Sequence, residues 1–137
     1  MSALPFVRAY LAGAAVPTVF LPLAYVGLNV LRQSYHLTFP IERVIVYPLA
    51  CLPAVWGLWN MLFHALRGRG WLPLGLHGAI LPVVIIPAAV LGFRALRIEL
   101  PWDPKLVAAM LLPFLMFVYY LLWKYVVGWL NETLQIA

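Results

Sequence analysis

Two histidines on either side of a short basic stretch are the residues of this chain best suited to cofactor chemistry. His64 precedes the stretch RGRGW at residues 67–71, and His77 follows it. Helices joined by so short a turn lie antiparallel, which places both imidazoles at similar depth on neighbouring helices. Facing imidazoles can ligate a haem or share a metal ion. His64 and His77 are therefore low-ranking candidate ligands for a haem or a metal. The simpler interpretation is that headgroups or backbone atoms satisfy both rings.

The stretch between the histidines also has the composition of a membrane interface. Arg67 and Arg69 carry guanidinium groups, which bind phosphate well, and tryptophan is common at headgroup depth. We predict that Arg67, Arg69 and Trp71 contact lipid headgroups. An active site built from these arginines and the two histidines is the less favoured alternative.

The sequence offers little support for other catalytic chemistry. It contains no glycine-rich phosphate loop, no H-E-x-x-H motif, and no credible Ser/His/Asp or Cys/His arrangement. The single cysteine, Cys51, excludes an internal disulfide and a multi-cysteine metal site. Basic residues are scattered, whereas nucleic-acid binding requires a clustered basic stripe. We expect neither an enzyme nor a nucleic-acid-binding protein, and no resident cofactor.

The composition places the elements that carry these residues in a membrane. Of the 137 residues, 66% are hydrophobic and 9% are charged, and the mean hydropathy is +0.98. Soluble domains are about 45–50% apolar, so a chain of this size cannot bury such a surplus within itself. The surplus must face lipid, where only helices or closed barrels satisfy the backbone. Strand-like alternation is absent, which favours helices.

Four apolar segments are each close to the length of about 20 residues that crosses a bilayer. They cover about 5–31, 43–66, 72–96 and 104–130. The charge and the turn residues are concentrated between them. We therefore predict a single all-α domain over residues 1–137, a bundle of four transmembrane helices.

An even number of spans places both termini on the same side of the membrane. Lysines and arginines divide almost evenly between the two sides, so the positive-inside rule gives no direction. The excess of arginine over lysine is typical of GC-rich bacterial genomes. We predict a multi-pass protein of the bacterial cytoplasmic membrane, with a slight preference for cytoplasmic termini.

An internal repeat links the first and third spans. Residues 11–32 align with residues 76–97, and the matches include glycine, proline and a terminal arginine in one register. The matched pairs include Gly13 with Gly78, Pro17 with Pro82, Pro22 with Pro87, Gly27 with Gly92, and Arg32 with Arg97. We interpret the chain as a duplicated helical hairpin, with parallel repeat halves of about 1–66 and 67–137. Convergence on one packing pattern is the alternative.

Prolines inside these spans predict bent helices. Pro17 and Pro82 each remove a backbone hydrogen bond to a glycine four residues earlier, Gly13 or Gly78. A glycine there relieves crowding and lets a neighbouring helix approach closely. The same kinking is predicted for the other prolines within spans: Pro22, Pro48, Pro53, Pro87 and Pro113.

Polar residues within spans are the usual indicators of a membrane protein's function, and here they are sparse. Near mid-depth the one polar side chain is Thr18, and all four acidic residues lie in loops or near the C-terminus. Asn60 lies at a span end, where its amide can bond across helices. We predict a non-catalytic membrane protein, either self-associating or an accessory subunit of a membrane complex. A small transporter or channel that uses the kinked helices is the alternative, and a haem- or metal-binding subunit is the second.

Overall fold

The computed structural model describes residues 3–36, 42–43, 47, 49–70, 72–97 and 103–136, apart from the side chain of Pro104. Within these ranges the regular elements are all helical, and no strand occurs. Four helices are long and apolar enough to cross a membrane. The predicted all-α class with four apolar spans is therefore confirmed.

The first three helices differ from the predicted spans mainly at their ends. α1 covers Leu4–Tyr35 and ends where His36 adopts a left-handed conformation. In the next span the structure describes a 3₁₀ turn at Leu49–Cys51 followed by α2 at Leu52–Leu66. α3 covers Leu74–Ala95.

The fourth span is one continuous helical stretch with a change of winding inside it. It consists of α4 (Pro104–Leu121), a π-helical segment (Leu122–Val127) and α5 (Gly128–Thr133), together called the C-terminal span below. The Asp103 carboxylate caps its start by accepting a bond of 2.9 Å from the Lys105 backbone N–H. This satisfies one of the free N–H groups of the first turn.

The prolines have two different positions in these helices. Pro17 and Pro22 lie inside α1, Pro82 and Pro87 lie inside α3, and Pro113 lies inside α4. Pro53 instead lies in the first turn of α2. The first N–H groups of an α-helix have no partner within it, so this is a position where proline is well tolerated, and the kink at Pro53 stays a prediction. Pro48 lies outside the described residues.

A tight turn connects α2 to α3. A 3₁₀ turn at Arg67–Arg69 follows α2, and Gly70 then adopts φ 72°. Glycine reaches this left-handed region without a steric penalty, which allows the chain to reverse within a few residues. α1 packs along α2, and α3 packs along the C-terminal span.

The core lies at the end of the bundle where the start of α1 meets the last described residues of the chain, called the termini end below. One buried cluster consists of Trp56, Leu81, Trp123 and Val127. Beside it, Ile136 packs against Ala9 and Ala12, so the C-terminal residues lie against the start of α1.

The other half of the bundle contributes no buried side chain among the residues described. In α1 the last buried residue is Pro17, and in α3 it is Pro82. α4 has none. The apolar residues of this half are therefore left uncovered by the rest of the described chain.

Candidate functional site

His77 lies in the first turns of α3 and is fully buried among aromatic rings. Its ring stacks on that of Trp59 with centroids 4.8 Å apart, and the centroids of Phe63 and Trp123 lie 5.3 and 5.8 Å away. Trp59 Nε1 donates to the His77 carbonyl at 2.9 Å, and His77 Nε2 lies 3.0 Å from the Trp59 carbonyl. A carbonyl only accepts, so this contact assigns a proton to Nε2. The two residues thus join α2 to α3.

His64 faces α1, away from the neighbours of His77. Its ring lies edge-on to that of Phe6, with centroids 5.2 Å apart. The Nδ1 atom of His64 is buried and has no hydrogen-bond partner among the residues described. Within the same residues, no group of three or more His, Cys, Asp or Glu side chains is placed to hold a metal ion. The haem or metal hypothesis stays a prediction.

A buried amide pair lies close to these aromatic residues. Asn60 of α2 donates from Nδ2 to Asn131 Oδ1 at 2.8 Å, and Asn131 donates back from Nδ2 to Asn60 Oδ1 at 3.3 Å. Asn60 Nδ2 also donates to the Ala9 carbonyl of α1 at 2.8 Å. The place of Asn60 at a span end predicts such a bond across helices. The sequence around Asn131 indicates no such role, because this residue lies beside Glu132 near the chain end and resembles part of a solvated tail.

Two glycines lie where helices of the core approach each other closely. A Cβ atom on Gly13 would collide with the Trp56 carbonyl oxygen and lie 2.8 Å from the Cβ atom of Asn60. A Cβ atom on Gly78 would collide with the side chain of Trp123. Each glycine therefore allows the next span to approach more closely than a larger residue would.

The prolines that follow these glycines are also buried. Pro17 and Pro82 are enclosed, whereas Pro22, Pro87 and Pro113 are exposed. The missing N–H groups of Pro17 and Pro82 leave the carbonyls of Gly13 and Gly78 without their usual helical donors. The kinks themselves, and the transport alternative that would use these carbonyls, stay predictions.

The π-helical segment aligns the buried face of the C-terminal span. Trp123 and Val127 lie within it, Asn131 follows in α5, and all three are buried. In an α-helix, residues four apart do not lie directly above one another but are rotated around the helix axis. The wider π turn offsets that rotation. The segment thereby directs Trp123 against α3 and Asn131 against α2.

Two of the three predicted headgroup residues, Arg67 and Arg69, lie at the termini end. Arg67 and Arg69 are exposed in the turn between α2 and α3, and neither forms an ion pair within the described part of the chain. Trp71 lies outside the described residues. Contact of these three side chains with lipid headgroups stays a prediction.

α4 presents an apolar stripe to its surroundings. Leu106, Met110, Phe114 and Phe117 are each more than half exposed. Together with Leu121 they recur at steps of four and three residues, which keeps them on one face of the helix. These five residues are called the α4 stripe below.

Two features thus stand out: a buried polar and aromatic junction at the termini end, and an unpartnered apolar stripe on α4. The junction holds the chain's own helices together, whereas the stripe contributes no buried side chain to the bundle. No family model matches this chain, and neither does a curated protein or a solved structure.

Proposed function

We propose that the protein is a non-catalytic, multi-pass membrane subunit that associates with a second copy of itself through the α4 stripe. The supporting observation is that α4 has no buried side chain, among those described, although it carries a continuous row of large apolar residues. Association with a different membrane protein, as an accessory subunit, is the alternative that the experiment below separates.

The spacing of the α4 stripe suits helix pairing. Steps of three and four residues let the side chains of one helix enter the gaps of another. Met110 supplies a thioether for contact with aromatic rings, and Phe114 and Phe117 can pack edge to face. A two-fold axis beside α4 brings the same residues of two copies together. Because lipid tails are apolar too, this packing must supply the association energy.

Mass measurement after gentle extraction from the membrane tests the proposal. We expect the full-length protein to have the mass of at least two copies. Phe114→Ala combined with Phe117→Ala removes the aromatic packing and should give monomers. Leu58→Ala combined with Leu91→Ala is the matched control, since these leucines are 59% and 65% exposed on other helices. A monomeric wild type under several mild conditions, or one copy bound to a different protein, would contradict self-association.

Membrane location and origin form a second part of the proposal. We place the protein in the bacterial cytoplasmic membrane with both termini cytoplasmic, and we derive it from a duplicated hairpin. The contact between Arg8 Nη1 and the Leu134 carbonyl, at 3.4 Å, supports termini on one side. The close approach of the second span at Gly13 and of the fourth at Gly78 supports the duplication. Labelling of single cysteines near each terminus in intact cells tests the orientation.

A further inference from the structure

An apolar groove lies between α1 and the last part of the C-terminal span. Its cavity measures about 360 Å³. Ala15, Val19 and Leu23 line the α1 side, and Val126 and Leu130 line the other. Every side chain that lines the groove is apolar, and none belongs to the α4 stripe. The groove is therefore a separate surface from the one assigned to self-association.

Arg8 lies outside this groove, on the part of α1 that precedes the residues lining it. It precedes Ala15 by two helical turns, which places both on the same face of α1. Its Nη1 atom donates to the Leu134 carbonyl at 3.4 Å, one turn beyond Leu130 on the opposite wall. In the described part of the chain this is the one hydrogen bond of the guanidinium, and no carboxylate pairs with it. Most of its five N–H donors are thus available to a ligand.

The charge at the termini end favours an anion. The charged side chains described there are four basic ones against one acidic: Arg8, Arg67, Arg69 and Lys124 against Glu132. Guanidinium groups bind phosphate through paired N–H donors, and the contact gains strength beside an apolar surface that excludes water. A ligand for this groove therefore needs an apolar chain and a phosphate at one end.

We propose that the groove holds one acyl chain of an anionic phospholipid, and that Arg8 binds its phosphate. A phospholipid joins both chemistries in one molecule, with its chain along α1 and its phosphate at the helix end. In a bilayer the acyl chain has apolar surroundings with or without the protein. The acyl-chain contact therefore adds little selectivity for one lipid over another. The headgroup contact therefore decides which lipid is retained.

Native mass spectrometry of full-length protein tests this site. The protein is exchanged into vesicles of phosphatidylcholine alone or of phosphatidylcholine with phosphatidylglycerol, and then gently extracted. We expect each copy to retain one phosphatidylglycerol. Arg8→Gln should weaken that retention at least about tenfold, equivalent to about 1.4 kcal/mol. Arg94→Gln, which changes an exposed arginine at the opposite end of the bundle, should retain the lipid. Equal retention of both lipids by the wild type, or equal loss in the two variants, overturns the proposal.

A groove-filling variant tests the acyl-chain contact independently of Arg8. Ala15→Leu narrows the groove and should displace the lipid while the near-ultraviolet signal of the tryptophans stays unchanged. Ala15→Leu tests whether the groove holds the lipid even if Arg8→Gln fails to fold. Excess inorganic phosphate separates a lipid site from a simple anion site. Retention of the lipid in that phosphate supports the proposal, whereas its displacement, or unchanged retention in Ala15→Leu, overturns it.

Discussion

Asn60 and Asn131 hold each other through two amide hydrogen bonds, of 2.8 and 3.3 Å, in the interior of the bundle. Asn60 also binds the Ala9 carbonyl at 2.8 Å, so one pair of side chains ties together α1, α2 and α5. Removing either amide takes away the partner that the other one binds in the buried pair, at the cost of leaving polar atoms unsatisfied. The packing of three helices therefore depends on both residues.

Asn131→Ala should lower the free energy of unfolding by about 1–2 kcal/mol, because it leaves the Asn60 amide partly unsatisfied. Asn60→Ala should do at least as much, since it also frees the Ala9 carbonyl. Denaturant titration in mixed micelles measures both variants and the double variant. Asn29→Ala is the control, because Asn29 bonds only to the Tyr25 carbonyl of its own helix within the described residues. Effects of the two single variants that simply add in the double variant would contradict a coupled pair.

Gly78→Ala should destabilise the protein by about 1–3 kcal/mol, because its Cβ atom would meet the buried indole of Trp123. The matched control is Gly27→Ala, at the position that meets no atom within 4 Å. Alanine is the better helix former, so this control should be neutral or stabilising by up to about 1 kcal/mol. Thermal unfolding followed by tryptophan fluorescence compares the two variants. Equal stability of Gly78→Ala and Gly27→Ala would show that the helices do not approach at Gly78.

We expect purified protein to show no Soret band and no stoichiometric metal. The reason is that His77 Nε2 donates to the Trp59 carbonyl at 3.0 Å, and ligation through that atom would break the contact. Visible absorbance and elemental analysis of protein extracted from its native membrane make the measurement. A Soret band that His77→Ala and His64→Ala both abolish would establish the haem alternative.

The contact between Arg32 and Glu42, at the end of the bundle opposite the termini end, predicts a measurable shift in the titration of the Glu42 carboxyl. A hydrogen bond from its own backbone and the Arg32 guanidinium at 2.5 Å lower the pKa of the Glu42 carboxyl below its ordinary value of 4.5. Because the folded-state pKa is lowered, the contact stabilises at pH values above the unfolded-state pKa. Its contribution is lost as the pH falls through the lowered value. Arg32→Gln should raise the pKa of Glu42 towards 4.5 in a carboxyl NMR titration, and Arg69→Gln should leave it unchanged. An unaltered pKa in Arg32→Gln would contradict the pairing.

Helix number and type could be predicted because lipid leaves the backbone few alternatives. An apolar run long enough to cross a bilayer must satisfy its own hydrogen bonds, so composition and length identify the four helices. Helix ends are less predictable, and Pro53 shows why. The sequence does not show whether a proline lies in the first turn of a helix or in its interior. Only in the interior does the proline break a helical hydrogen bond.

The contacts between helices could be predicted only in part. The repeat pairs Gly27 with Gly92, yet a Cβ atom on Gly92 would meet the ring of Tyr47 whereas Gly27 faces open space. The spacing along one helix does not specify which residue lies opposite. For the same reason the sequence does not indicate the structural role of Asn131. Its partner is distant along the chain, and its neighbours in sequence are those of an exposed tail.

Disulfide trapping between copies tests the central claim, self-association through the α4 stripe, most directly. Cys51 is the chain's single cysteine, so Cys51→Ser gives a background in which one new thiol reports one position. In native membranes, Phe117→Cys in this background should form a covalent dimer on mild oxidation. Leu91→Cys, exposed on α3, should stay monomeric under the same conditions. Monomers alone from Phe117→Cys and from Phe114→Cys, or equal cross-linking at Leu91→Cys, would contradict the account.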